Sequence, residues 1–378
     1  MIKAFRYRAY PNRPQEAAMA GMLDTHRHLY NRALAERKDA WESEQRTVRY
    51  GEQSGHLKAD RTTNPHLANT NFSSCQATLR RLDRAFAAFF RRIKAGEKPG
   101  YPRFRGFGRF DSVEFPSYGD GCRLRDGRAE FQHIGRVKLK LHRPIEGTIK
   151  TMRFKREADG WYVVFSCDLG DVRPELSSKP DVGIDLGLNA FLTTSDGEHV
   201  APPKLYRKAQ DVLRRAARKV ARRGKGSNRR KKAVVLLAKH HQHVANQRRD
   251  FHHKTARDLV TRFGLIAHEK LNVRGIARTR LAKSTHDAGW AAFLAILAQK
   301  AASAGVTTVA VDPRNTSQAC SNCGALPKVK KTLKDRVHVC SCGLTLDRDW
   351  NAARNILQRS RPGRGLQAPT LDTGPCVA

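Results

Sequence analysis

Acidic residues are scarce in this sequence. Its 378 residues include 72 Lys and Arg but only 35 Asp and Glu, which gives a formal net charge of +37 at pH 7. A chain with this excess of positive charge needs a large polyanion as partner, and nucleic acid is the natural one.

Long apolar segments are missing as well. No stretch has the length of a membrane-spanning helix. The first residues, MIKAFRYRAY, alternate charged and apolar side chains and do not form a signal peptide. A basic protein of the membrane surface is therefore a weaker interpretation than a nucleic-acid-binding protein, and we expect a bacterial or archaeal cytoplasmic location, close to the nucleoid.

The eight cysteines lack the even distribution of a disulfide framework. Clustered cysteines in a large cytosolic chain favour a metal site. Four are scattered and are predicted to be inert thiols: Cys75, Cys122, Cys167 and Cys376. The other four cluster near the C-terminus: Cys320, Cys323, Cys340 and Cys342.

The cysteine cluster has the spacing of a four-sulfur zinc site. Its first pair is spaced C-x2-C and its second C-x-C, and Gly324 and Gly343 follow the pairs. Glycine allows such a knuckle to turn back at positive φ, and two short thiolate pairs at this separation bind one tetrahedral Zn²⁺. His338 is an alternative ligand because the second pair is tight. No catalytic base is adjacent, so this zinc is predicted to be structural.

The N-terminal third predicts one strand and two helices. Ile2–Tyr10 is typical of a strand, and Pro14 suits the first turn of the helix that follows. Ser74 is predicted to cap a second helix. Its apolar stripe predicts core packing, while its arginine-rich face could contact phosphate. The stripe consists of Leu79, Leu82, Phe86, Phe89, Phe90 and Ile93.

From Gly96 to Gly170 the pattern is that of short strands. The segment opens with KPGYPRFRGFGRF, in which arginines beside aromatic rings suit phosphate and nucleobases. The pairs Asp126-Gly127 and Asp159-Gly160 indicate hairpin turns. We expect a small β-barrel-like domain that the first strand of the chain helps to close.

The C-terminal half predicts an RNase H-like α/β core. VGIDLGLNAFLTTSDG reads as a strand hairpin with its turn at Gly187. A basic helical hairpin, about 204–262, follows and breaks near Gly224 to Ser227. Next come the strand FGLIAHEKLNV, a helix around Trp290, the strand VTTVAVDP and a last helix that begins near Asp349. This is the order of elements in such a core.

Three acidic residues lie at positions in that core where they could form a metal site. Asp185 lies inside an apolar strand, where an unpaired carboxylate is costly. Glu269 ends another strand and Asp349 opens a helix. Taken alone, Glu269 could be an exposed strand end and Asp349 a helix cap. If the three acids converge, however, they would hold two Mg²⁺ ions about 4 Å apart. Asp347 is better explained as a helix cap or as a residue behind the ligands.

Several motifs together resemble the TnpB family, which insertion sequences encode and which is similar to compact type V CRISPR nucleases. They are GIDLGLNAF, HEKLNVRGI, DPRNTSQACSNCG and CSCGLTLDRDWNAARNIL, with RAFAAFFRRIKAGEKPGYPRFRG upstream. The resemblance covers residues 1 to about 358. It implies that the RuvC nuclease residues are Asp185, Glu269 and Asp349.

The resemblance also implies an architecture: a multidomain α+β protein in which a helical recognition domain is inserted in a wedge β-barrel, followed by an RNase H-like (RuvC) domain with an inserted zinc-ribbon-like module. The expected segments are 1–10 (first barrel strand), 11–95 (recognition), 96–180 (barrel), 181–319 (RuvC), 320–343 (zinc module), 344–358 (RuvC helix) and 359–378 (disordered tail).

The function implied is RNA-guided, Mg²⁺-dependent cleavage of double-stranded DNA beside a short element-specific motif. The guide RNA would come from the element's end. Two alternatives stay open at the level of sequence. One is a transposase that performs strand transfer with the same acids, and the other is an RNA-guided DNA-binding protein that does not cut.

Overall fold

The structure is a computed structural model that describes residues 1–170, 177–332 and 334–361. The chain divides into two compact units, Met1–Val172 and Arg173–Ala378, here called the N-terminal and C-terminal units. Within the described ranges, no helix combines the length and the apolar character needed to cross a membrane.

A seven-stranded antiparallel sheet forms the base of the N-terminal unit, in the order β2-β6-β7-β1-β5-β4-β3. Its strands are β1 Ile2–Tyr10, β2 Ser112–Phe115, β3 Cys122–Arg125, β4 Arg128–Phe131, β5 Gly135–Lys140, β6 Thr148–Glu157 and β7 Gly160–Asp168. The predicted strand Ile2–Tyr10 is confirmed, and it lies in the middle of a sheet whose other strands come much later in the chain.

The hairpin turns fall where the sequence predicted them. Asp126 and Gly127, between β3 and β4, have φ of 49° and 68°. A type I′ turn requires two such residues, and it matches the twist of the flanking strands. Asp159-Gly160 likewise connects β6 to β7.

Three of the four helices described in the N-terminal unit, the first, third and fourth, begin at asparagines. The four helices are α1 Arg13–Glu44, α2 Tyr50–Thr63, α3 Pro65–Ala68 and α4 Phe72–Lys94. Asn12 caps α1, with Pro14 in the first turn as predicted. The prediction that Ser74 caps α4 is wrong. Asn71 takes that position because its side chain accepts the Ser74 N–H at 2.8 Å, three residues into the helix.

The apolar stripe of α4 is only partly core. Leu79 and Leu82 are buried in the cluster that the helices share with the sheet. Farther along, Phe90 is 52% exposed and Ile93 is 48% exposed. The stripe therefore runs beyond the core that it helps to build.

In the C-terminal unit, a five-stranded sheet has the order β10-β9-β8-β11-β12. Its strands are β8 Asp181–Asp185, β9 Leu192–Thr194, β10 His199–Val200, β11 Leu265–Glu269 and β12 Thr307–Val311. β8 and β9 form the predicted hairpin, and β8, β11 and β12 are parallel. A separate antiparallel pair consists of β13 Val337–Val339 and β14 Thr345–Asp347.

The described part of the C-terminal unit also contains six helices. They are α5 Leu205–Ala221, α6 Asn228–Arg262, α7 Val273–Ile276, α8 Ala282–Ala288, α9 Trp290–Ser303 and α10 Arg348–Arg359. The break between α5 and α6 spans 222–227, as predicted. Asp287 of α8 fixes the start of α5, because its carboxylate accepts the N–H groups of Tyr206 and Arg207 at 2.8 and 3.2 Å.

The last helix lies directly on the first strand of this sheet. A side-chain carbon added at Gly183 of β8 would lie 2.2 Å from the carbonyl oxygen of Ala353 and 2.7 Å from the N of Leu357, both in α10. Only glycine allows this backbone contact. The Trp350 indole also donates to the Ser195 carbonyl at 2.8 Å. α10 is thereby held across the strand that carries Asp185.

Candidate metal centres

The four clustered cysteines converge at one point. Cys320 Sγ lies 3.7 Å from Cys342 Sγ, and Cys323 Sγ lies 3.6 Å from Cys340 Sγ. All four sulfurs are within 4.8 Å of one another. A tetrahedron with Zn–S bonds of about 2.3 Å has S–S edges of about 3.8 Å, so the donor set fits one Zn²⁺. Gly324 and Gly343 have the positive φ expected of the two knuckles, 76° and 87°.

His338 does not join these sulfurs. It is buried on β13, and its Nδ1 lies 2.5 Å from Lys331 Nζ. Of the scattered cysteines, Cys75, Cys122 and Cys167 are buried free thiols, which agrees with their predicted inert role. Cys376 lies outside the described residues.

Asparagines of α10 fix the loop that leads into the zinc cluster. Asn351 accepts the Ser321 N–H at 2.9 Å and donates to the Ala319 carbonyl at 2.8 Å. Asn355 donates to the carbonyls of Thr316 and Ala319, each at 2.8 Å. The knuckle and the helix are thus one hydrogen-bonded assembly.

The three predicted acids meet beside that assembly. The parallel pairing of β8 with β11 runs to Ile184 and His268, so Asp185 and Glu269 follow at neighbouring strand ends. Asp349, in the first turn of α10, lies by the turn after β8, where its Oδ2 is 3.9 Å from the position of a side-chain carbon added at Gly187. The fold therefore brings together three residues that are far apart in sequence.

The charges of these acids act on one another. Desolvation raises the pKa of Asp185 well above its usual value, and the charges of Glu269 and Asp349 raise it further. Burial also raises the pKa of Glu269, against the opposing effect of a hydrogen bond from Thr316. Mutual repulsion at close range is what a bound divalent cation would relieve.

The donor set fits a hard cation, since Mg²⁺ prefers carboxylate oxygens. Throughout the described ranges, the four cysteines are the one group of three or more Cys, His, Asp or Glu residues whose ligand atoms lie close enough together to hold a metal ion. The three carboxylates do not form such a group as they stand.

Asp347 has the role of a helix cap. Its Oδ1 accepts the N–H groups of Asp349 and Trp350 at 2.8 and 3.1 Å, and its side chain is exposed. This agrees with the prediction that Asp347 caps the helix, and the choice of Asp349 as the third acid of the site stays a prediction.

Sequence reasoning missed the residues that support the carboxylates. The Thr316 hydroxyl donates to Glu269 Oε1, and Arg336 Nη1 lies 3.7 Å from Asp349 Oδ1. The only available signal for Thr316 was its place in the segment DPRNTSQAC before the first zinc knuckle. Arg336 stood in no motif.

A strongly basic surface lies on the hairpin of α5 and α6, here called the basic hairpin. Residues 212–249 contain fourteen Lys and Arg and no Asp or Glu. Arg230 fixes its tip, because its Nη1 donates to the carbonyls of Val220 and Arg223, each at 2.8 Å. The tip borders an open cavity of about 610 Å³ lined by Arg215, Arg218, Lys219, Arg222, Arg223 and Arg229.

Comparison with known proteins gives relatives over nearly the whole chain. A protein of Streptomyces pristinaespiralis, described as a candidate RNA-guided DNA endonuclease, is 33% identical over 364 residues, which cover 94% of this chain and 88% of the relative. This chain belongs to the TnpB family. InsQ of Escherichia coli K12, described in the same way, is 28% identical over 94% of this chain and 92% of its own length.

Family profiles match three parts of this TnpB chain. Residues 164–280 match the profile described as a probable transposase, residues 290–356 the TNB domain of Cas12f1-like proteins, and residues 1–46 a helix-turn-helix domain. The TNB match includes the four cysteines and Asp349.

A solved structure supports the fold of this TnpB chain. The Cas12f1 protein in a complex with sgRNA and target DNA aligns with a TM-score of 0.56 at 16% identity, over 92% of this chain and 83% of that one. At this identity the likeness concerns the fold.

Proposed function

We propose that this protein is an RNA-guided, Mg²⁺-dependent DNA endonuclease of a transposable element, which cuts double-stranded DNA next to a short element-specific motif. The observation that carries the proposal is the meeting of Asp185, Glu269 and Asp349 at the strand ends of the five-stranded sheet. The names of the relatives from Streptomyces and Escherichia coli point to the same activity.

We assign the C-terminal unit to a RuvC-type, RNase H-like nuclease domain. The strand order β10-β9-β8-β11-β12, with one hairpin and then parallel strands, supports this assignment. The N-terminal sheet and the helices between β1 and β2 would be the wedge β-barrel and the recognition domain inserted in it. The segment boundaries are part of this proposal, and residues 362–378 of the expected tail lie outside the described residues.

The chain's own residues would hold the reacting groups. Asp185, Glu269 and Asp349 would ligate two Mg²⁺ ions, which in such sites activate a water and stabilise the leaving oxygen of a phosphodiester. Thr316 orients the Glu269 carboxylate, and Asp347 fixes the start of the helix that presents Asp349. The four cysteines would hold a structural Zn²⁺, which would fix the position of the loop that is hydrogen-bonded to this helix.

The partners follow from charge. A guide RNA paired with one DNA strand presents two sugar–phosphate backbones, and a guided nuclease recognises such a heteroduplex through its backbone and not its sequence. The basic hairpin offers fourteen cations within 38 residues for that purpose. Base pairing would supply the sequence specificity.

The test is to replace the acids one at a time in the protein purified with its RNA from cells that carry the native locus. Asp185→Ala, Glu269→Ala and Asp349→Ala should each abolish Mg²⁺-dependent cleavage and leave guided DNA binding largely intact, because binding needs none of these carboxylates. Asp347→Ala is the matched control, and it should cost about 1 kcal/mol of local stability and retain cleavage.

The outcomes separate the alternatives. If all three variants still cleave DNA, the nuclease site lies elsewhere. If Asp347→Ala abolishes cleavage and Asp349→Ala does not, the third ligand is Asp347 and not Asp349. Products joined to a second DNA would indicate strand transfer by a transposase. A wild type that binds guided targets and never cuts would be a non-cleaving DNA-binding protein.

A further inference from the structure

The exposed half of the α4 stripe forms an aromatic patch, here defined as Phe86, Phe89, Phe90 and Tyr101. The ring of Tyr101 meets Phe86 and Phe89 edge-on, with centroids 5.6 and 5.4 Å apart. Phe90 lies against Phe86 and Phe89 at 6.4 and 5.2 Å. The four rings support one another and stand as a preformed surface.

This patch is open to solvent. Phe90 is 52% exposed and Tyr101 is 45% exposed, and every residue from 91 to 100 is exposed. Of the four rings, Phe86 packs partly against the core, whereas Phe90 and Tyr101 are the exposed members of the patch. A contiguous apolar surface of this kind marks an interaction site.

The charges around the patch favour a negatively charged ligand. Residues 84–105 contain seven Lys and Arg and one Glu. Arg91, Arg92 and Lys94 follow directly on the same helix end. A second copy of this chain, with its own charge of +37, would be repelled. A ligand that combines flat apolar groups with regularly spaced anions fits best.

An unpaired strand of nucleic acid has this combination. Its bases stack on aromatic rings, and its phosphates pair with neighbouring cations. A continuous duplex does not fit, because its bases are already stacked on one another and their faces are inaccessible. The rings therefore distinguish this surface from the basic hairpin, which offers cations for phosphates.

We propose that the aromatic patch binds unpaired bases of a single DNA strand. The assignment to DNA rests on the proposed function: when a guide RNA pairs with one strand of the target, the other DNA strand is displaced and left unpaired. Phe90 and Tyr101 supply the stacking surface, and Arg91 and Arg92 contact the flanking phosphates.

The test measures the binding of a fluorescent single-stranded DNA to the full chain without added Mg²⁺. Phe90→Leu and Tyr101→Leu should each weaken binding about five- to hundredfold, the range found when one stacked base is lost, and Phe90→Trp should retain it. Tyr10→Leu is the matched control, since Tyr10 is 51% exposed on β1, outside the patch; its affinity should equal that of the wild type.

Two further probes decide what is recognised. A blunt-ended duplex of the same sequence, in which every base is paired, should bind Phe90→Leu, Tyr101→Leu and wild type alike. Equal affinity of all proteins for the single strand, or an equal loss on the duplex, would overturn the proposal. A loss seen with single-stranded RNA of the same sequence and not with DNA would overturn the assignment to the displaced strand. Because no cleavage is measured, these results stand apart from the test of the nuclease acids.

Discussion

At the scale of single residues, Thr316 shows how a side chain that was not predicted as a site residue supports the proposed metal site. Its hydroxyl donates to Glu269, and partners that orient a metal ligand are worth about ten- to hundredfold in metal affinity or activity. We predict that Thr316→Val raises the Mg²⁺ concentration for half-maximal cleavage by that factor. Thr307→Val, at an exposed position of β12, is the control, and equal Mg²⁺ dependence of both variants would contradict the role.

His26 provides a prediction on pH. It is fully buried between α1 and α4, where Nδ1 lies 2.8 Å from the Thr78 hydroxyl, and burial lowers its pKa from 6.5 to about 3. Below pH 6.5 the unfolded chain binds a proton at this histidine that the folded chain excludes. The free energy of unfolding should therefore fall between pH 6.5 and 3, by up to about 1.4 kcal/mol per pH unit.

His26→Gln should remove this part of the pH dependence. The measurement is denaturant unfolding of both proteins across that range, with near-ultraviolet circular dichroism at pH 7.5 to verify the fold of the variant. Parallel curves of stability against pH would show that His26 is not the group responsible.

The sequence predicted the three acids and the four cysteines because their positions in apolar strands and knuckles are local patterns. It could not predict Thr316, Arg336 or the contacts of Asn355, because each is defined by a partner far away in the chain. The same limit explains Ser74: a serine and an asparagine three residues apart both suit a cap, and the competition is settled in three dimensions.

At the scale of elements, the contact of α10 with β8 sets the position of Asp349. A side-chain carbon at Gly183 would lie 2.2 Å from the Ala353 carbonyl oxygen, and overpacking of this kind costs about 1–3 kcal/mol. Gly183→Ala should therefore lower the melting temperature and impair cleavage together. Gly21→Ala in α1, where nothing lies within 4 Å, should be neutral or stabilising. A Gly183→Ala protein with wild-type stability and activity would contradict this account.

The zinc cluster is the second element whose removal is informative. Cys320→Ser should lose the metal and unfold the region around β13 and β14, because structural zinc contributes about 10 kcal/mol to small modules. Elemental analysis should find one zinc per wild-type chain and none in this variant, and Cys122→Ala should keep it. A wild type without zinc would refute the assignment.

The sequence predicted individual strands, hairpins and helix breaks better than it predicted contacts between distant residues. Strand Ile2–Tyr10, the β8–β9 hairpin and the break between α5 and α6 all follow from local periodicity and turn residues. The stripe of α4 was the instructive failure. Periodicity finds an apolar face, but how far the core extends beneath that face depends on the sheet it packs on. Here Leu82 is the last fully buried residue of the stripe, Phe86 is partly buried, and Phe90 is exposed.

At the scale of the whole molecule, the net charge of +37 dominates. Affinity for a nonspecific duplex should fall steeply with salt, because each phosphate contact releases counterions. Arg218→Gln and Arg222→Gln, at the tip of the basic hairpin, should each reduce the slope of log affinity against log salt by about 0.9. Lys254→Gln, whose ammonium already pairs with Asp250 at 2.8 Å, should change it less. Affinity that barely responds to salt would contradict an electrostatic interface.

The connectivity of the C-terminal unit has a consequence for the order in which it folds. The helices α5 and α6 are adjacent in sequence and contact each other. Strand β8, in contrast, pairs with β11 and packs against α10, and both lie much later in the chain. Local contacts form in microseconds, and pairings between distant segments are slow. We expect the basic hairpin to form first and the three carboxylates to meet last, so that a chain still in the course of folding can hold RNA before it is able to cut DNA.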